Sequence, residues 1–102
     1  MITSFFPGRI RLRAPIFKDI EITNAAREIL ETSPAITNVQ HNPTTGSVLL
    51  EYEEDKIPFE KLTPLVPFLE KLRTKAMFYN EKKRPEILTM LDELRSIVQT
   101  WN

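Results

Sequence analysis

The sequence predicts an α+β fold, with helices laid on one face of a small antiparallel sheet. Three observations predict it. Phe6-Pro7-Gly8-Arg9-Ile10-Arg11-Leu12-Arg13 joins a turn signal to a strictly alternating run, with Arg9, Arg11 and Arg13 on one side and Ile10 and Leu12 on the other. Two more extended segments flank Asn42-Pro43-Thr44-Thr45-Gly46, which has the chemistry of a hairpin loop. Between and after these strands, apolar residues recur at helical spacing.

After the arginine-bearing strand, Ala14-Pro15-Ile16-Phe17-Lys18-Asp19 reads as a loop, because Pro15 interrupts strand pairing. A helix follows from Ile20 or Thr23 to Thr32. Ile22, Ala25, Ala26, Ile29 and Leu30 share one side of it, and Arg27, Glu28 and Glu31 the other. Asp19 or Thr23 supplies the cap. Ser33-Pro34 ends the helix, since the residue before a proline avoids the α region. Ile36–Asn42 and Ser47–Glu53 are the next two strands. Val48, Leu50 and Tyr52 form the apolar face of the latter, opposite Leu49, Glu51 and Glu53.

Pro58 opens a further helical stretch carrying Phe59, Leu62, Leu65, Val66, Leu69 and Leu72. Pro64 and Pro67 interrupt it, so a kinked or two-piece helix is expected. Thr74–Asn80, with Ala76 and Phe78 alternating with Lys75, Met77 and Tyr79, suits a short edge strand and equally a prolonged helix; the strand reading is favoured. Pro85 then opens a last helix to Thr100, striped by Ile87, Leu88, Leu91, Leu94, Ile97, Val98 and Trp101.

With the edge strand counted, the order is β-α-β-β-α-β, the ferredoxin-like split unit. Right-handed crossovers place both helices on one face of the sheet. Ile10, Leu12, Val39, Val48, Leu50 and Tyr52 should then meet Ile22, Ala26, Ile29, Leu30, Leu62, Leu65 and Leu69. Residues 1–80 are expected to form this domain, and residues 81–102 a charged linker and an added amphipathic helix.

The bulk composition excludes more than it suggests. The chain has 102 residues, enough for one modest core. Basic and acidic residues balance at 14 each, so no overall field draws it to nucleic acid or anionic membrane. No apolar run reaches the roughly 18 residues of a membrane span. Met1-Ile2-Thr3-Ser4-Phe5-Phe6 lacks the features of a secretory signal. There is no cysteine, which removes disulfides and thiolate metal sites and fits a cytoplasmic location. Gly8 and Gly46 cannot build a phosphate loop, and one histidine offers no nucleophile–base arrangement, so neither an enzyme nor a resident cofactor is expected.

The arginine strand, the helix ending near Ser33-Pro34-Ala35-Ile36, and the run Val39-Gln40-His41-Asn42-Pro43-Thr44-Thr45-Gly46-Ser47-Val48-Leu49-Leu50-Glu51-Tyr52 together resemble the cysteine-poor branch of the heavy-metal-associated domains. The resemblance covers about residues 5–72. Such domains occur alone and in the N-terminal parts of metal-transporting P-type ATPases. The resemblance implies the ferredoxin-like fold and a place in heavy-metal, including iron-type, homeostasis. Metal-binding members carry Cys-x-x-Cys in the loop that here is Ala14–Asp19, so soft-metal thiolate ligation does not carry over.

Three groups of residues are candidates for function. Arg9, Arg11 and Arg13 are either a partner-docking face or a structural face neutralised by cross-strand pairing with Glu51 and Glu53. Leu91, Leu94, Val98 and Trp101 form a stripe that must be covered, by the chain folding back on the open sheet face, by a second copy or by another protein. His41, Asp19 and Glu21 are weak candidates for an oxygen- and imidazole-based metal site, and Asp19 equally a helix cap. The basic residues Lys71, Arg73, Lys75, Lys82, Lys83 and Arg84, interleaved by Glu70, Glu81 and Glu86, read as a charge-balanced joint. The resulting expectation is a non-catalytic interaction domain, docking on a metal-transporting ATPase or on a copy of itself. Direct metal binding is the alternative.

Overall fold

A computed structural model describes residues 1–77 and 79–102. The first strand, β1 (Ile2–Phe6), turns at Pro7-Gly8 into β2 (Arg9–Arg13). Gly8 takes a φ of +83°, which glycine adopts without penalty. A short 3₁₀ turn, Pro15–Lys18, leads to α1 (Ile20–Leu30). Then come β3 (Ile36–Asn42), β4 (Ser47–Tyr52), α2 (Phe59–Leu62) and α3 (Leu65–Ala76). A second 3₁₀ turn, Glu81–Lys83, precedes α4 (Arg84–Gln99). The proline-interrupted helical stretch is in two pieces, as its sequence predicts.

The four strands form one antiparallel sheet in the order β1-β2-β4-β3. This is the ferredoxin-like arrangement of the central pair, with β2 and β4 side by side. The edge strand beside β2 comes from the other end of the chain than expected. Ile2–Phe6 fills that edge, and Thr74–Asn80 does not. Thr74–Ala76 instead complete α3, and Met77 keeps helical dihedrals. The reason lies in the continuing stripe Leu65, Phe68, Leu69, Leu72 and Ala76, all buried or half-buried against the core at helical spacing. Phe78 lies outside the described residues.

The apolar sides of the strands supply Ile10, Val48, Leu50 and Tyr52 to a single buried cluster. Ile22, Ile29 and Leu30 of α1, Phe68, Leu69 and Leu72 of α3, and Ile87, Leu91, Leu94, Ile97 and Val98 of α4 complete it. All strand and helix positions expected to meet in the core are in this cluster or packed against it. Leu49 is buried outside the cluster, which marks the opposite face of the sheet.

Candidate functional site

That opposite face carries the arginines. The register sets Arg9 against Glu51, Arg11 against Leu49 and Arg13 against Ser47. On the far side of β4, Gln40 stands beside Leu49 and Asn42 beside Ser47; on the near side, Ser4 stands beside Arg11. Period-two alternation puts all of these on one surface of the sheet. Leu49 is nearly covered there, and its register partner is the exposed Arg11, a residue type whose methylenes can shield an apolar neighbour while the guanidinium reaches water. A shallow polar depression of about 540 Å³ lies on this face, bordered by Thr3, Arg11, Arg13, Gln40, Ser47 and Leu49.

The cross-strand ion pairs that would neutralise the stripe are not formed. Glu51 accepts a hydrogen bond from Asn38 Nδ2 at 3.1 Å, and Glu53 pairs with Lys56 at 2.7 Å. Among the described residues, no ion pair engages Arg9, Arg11 or Arg13. Arg9 and Glu51 are register partners, yet Glu51 turns towards β3. The result is three exposed cations on an open sheet face, with Glu51 the carboxylate of that face turned away from them.

The stripe on the last helix has a different setting. Leu91, Leu94, Val98 and Trp101 are all buried within the chain, where α4 packs against α1 and α3. The Trp101 indole N–H donates to the Lys61 carbonyl oxygen at 2.9 Å, tying the chain's end to α2. The chain itself covers the stripe, but through α1 and α3 on the helix side of the sheet and not by folding back on the open sheet face, where the arginines offer no apolar seat.

Asp19 and Glu21 meet at Arg84, not at a metal-like donor cluster. Asp19 Oδ1 caps α1 by accepting from the Ile22 amide at 3.1 Å. Its Oδ2 accepts from Arg84 Nη2 at 2.8 Å and Nε at 3.2 Å, and from the Tyr79 hydroxyl. Glu21 lies 3.4 Å from Arg84 Nε. Burial pushes the Asp19 carboxyl up, but the bonds from Tyr79, Arg84 and Ile22 outweigh it and hold it below its ordinary value. Burial and the same hydrogen bond push Tyr79 up. His41 Nε2 stands 2.5 Å from the Phe17 carbonyl oxygen. A carbonyl only accepts, so that nitrogen carries the proton and is not a ligand. Among the described residues, no three histidine or acidic side chains are disposed to hold a metal ion.

Sequence reasoning missed the roles of Tyr79 and Arg84. Arg84 falls within the charge-balanced joint; there Arg73 pairs with Glu70 and Lys75 with Glu86, two of the interleaving glutamates, while Lys71 reaches Glu93 of α4 instead. Its own partner lies 65 residues away, and no local pattern announces that distance.

Comparison with known proteins adds a family. The family model described as heavy metal associated domain 2 matches residues 1–101. No curated protein and no solved structure matches the chain.

Proposed function

The chain belongs to the heavy metal associated domain 2 family, and on that premise we propose that it is a non-catalytic docking module in heavy-metal homeostasis. Its open sheet face is the contact surface. Arg9, Arg11 and Arg13 engage an acidic surface of a metal-transporting P-type ATPase in the cytoplasm. The observation that carries this reading is the unpaired state of the stripe. Three guanidiniums at alternate positions of one strand, with no ion-pair partner among the described residues, retain their capacity for forked hydrogen bonds to a partner's acidic groups. The surrounding depression adds the polar side chains of Thr3, Gln40 and Ser47, which suit a polar, hydrogen-bonded contact.

Direct metal binding has less support, because Asp19 spends both carboxylate oxygens on a helix amide, an arginine and a tyrosine. Arg11→Glu tests the docking reading against the soluble regions of a metal-transporting P-type ATPase. Affinity should fall at least tenfold, since the pair at the centre becomes repulsive, while the melting temperature stays within about 2 °C of the parent. Intact affinity with a large loss of stability would return the stripe to a purely structural role. Titration with Fe(II), Zn(II) and Cu(I) addresses the alternative, and stoichiometric micromolar binding would favour it.

A further inference from the structure

Between the apolar side of the sheet and the helices lies a cavity of about 300 Å³. Protein interiors hold few voids larger than a water molecule. An engineered cavity of about half this volume is enough to hold benzene. The walls are Ile10, Leu12, Val48 and Leu50 from the sheet, with Ile22, Ala26 and Leu30 of α1, Leu62 and Leu69 of the second helical layer, and Leu91 and Leu94 of α4. Four of the large apolar side chains exposed on this protein, Ile2, Phe5, Phe59 and Val66, border the same cavity. Phe5 and Phe59 meet edge to face across it, ring centres 6.3 Å apart. Exposed apolar groups gathered at the rim of an apolar cavity mark an entrance rather than a packing defect.

The polar groups of the lining define what enters. The Thr23 hydroxyl donates to the Phe17 carbonyl at 3.3 Å, and the Thr63 hydroxyl to the Glu60 carbonyl at 3.0 Å. Both protons are thus spent, and the rest of the lining is almost wholly apolar, so a water molecule finds few partners there. Arg27 is the charged residue of the lining; because the exposed lining is almost wholly apolar, its methylenes face the cavity and its guanidinium stands at the edge. It is one-third exposed, and its contact with Glu31 is long, Nε to Oε1 3.5 Å, which leaves the guanidinium's terminal nitrogens for an anion. We propose that this cavity binds a single-chain alkyl carboxylate, the hydrocarbon tail among the sheet and helix side chains and the carboxylate at Arg27. The site lies on the face of the sheet opposite the arginine stripe and is independent of docking there.

Isothermal titration of the full chain with decanoate and with decan-1-ol, both below aggregation, tests this. Saturable one-to-one binding of both is expected. Arg27→Gln should weaken decanoate about tenfold and leave decanol nearly unchanged, the measure of one charge-assisted contact. Ala26→Leu, whose added methyls enter the cavity, should abolish binding of both with an unchanged or higher melting temperature. Should that variant fail to fold, Val66→Glu at the exposed rim should selectively weaken decanoate. Phospholipid vesicles serve as the second arm. Binding to intact vesicles without binding to monomeric decanoate would overturn the proposal in favour of a membrane surface. Absence of saturable binding, or binding indifferent to both cavity and rim variants, would overturn it outright.

Discussion

At the scale of single residues, Gly46 holds a strand connection and Asp19 a helix start. Gly46 holds a φ of +72°, and a Cβ there would stand 2.5 Å from the Ala14 carbonyl oxygen, whose own amide bonds back to Gly46 at 3.1 Å. The neighbour is backbone and cannot swing aside. Gly46→Ala should therefore cost roughly 2–4 kcal/mol, the left-handed penalty plus displacement of that strand connection, read as a shift in the urea midpoint. Asp19 governs a different observable. Its carboxyl is held below its ordinary value, so the stability it contributes is full above the unfolded value of about 3.9 and drains away as pH falls through the lower folded value. Asp19→Asn should lower stability by about 1–3 kcal/mol at pH 6, and the gap between variant and parent should close as pH falls through that lower folded value. Melting curves from pH 2 to 6 measure it; a gap independent of pH would mean the carboxylate charge contributes nothing. The stripe of Arg9, Arg11 and Arg13 was legible because alternation is a local signal. The latch of Asp19, Tyr79 and Arg84 was not, because only the tertiary fold brings its members together.

At the scale of elements, the instructive case is the edge of the sheet. Two segments competed for the place beside β2. Thr74–Asn80 alternates weakly, and its apolar residues also fit a continuing helix. Ile2–Phe6 is short, β-branched and aromatic, and it precedes a two-residue Pro-Gly connection, the pattern of a hairpin. Hairpin closure over two residues is entropically cheaper than returning a strand from more than sixty residues away. Read with that weight, the N-terminal segment wins. The last helix makes the complementary point. Its stripe was plain from spacing, but spacing alone does not say what covers it. Val98 is fully buried in the chain's own core, so Val98→Ala should cost about 1.5–3 kcal/mol independently of protein concentration, with the light-scattering mass unchanged. A mass change with little loss of stability would instead assign the stripe to an interface between copies. Ile87, Leu91, Leu94, Ile97, Val98 and Trp101 thus share one buried cluster with the sheet, α1 and α3.

At the scale of the whole molecule, the charges sum to zero, yet they are not evenly spread. Around the α3–α4 joint, lysines and arginines sit within reach of glutamates, at 2.9 to 3.1 Å. On the open sheet face, the three arginines have no such partners among the described residues. Net charge therefore says little about association here, and the local field of one face says more. That field is exposed to salt, whose screening length shrinks from about 10 Å at 0.1 M to about 3 Å at 1 M. The triple variant Arg9→Gln, Arg11→Gln and Arg13→Gln separates docking from folding. Because no ion pair is lost, its stability should stay within about 0.5 kcal/mol per site of the parent, apart from the cover the stems give Leu49. Its affinity for an acidic ATPase surface should fall and lose its dependence on ionic strength, whereas the parent's should weaken steeply between low and high salt. Equal salt slopes for parent and variant would show that some other surface of the domain makes the contact.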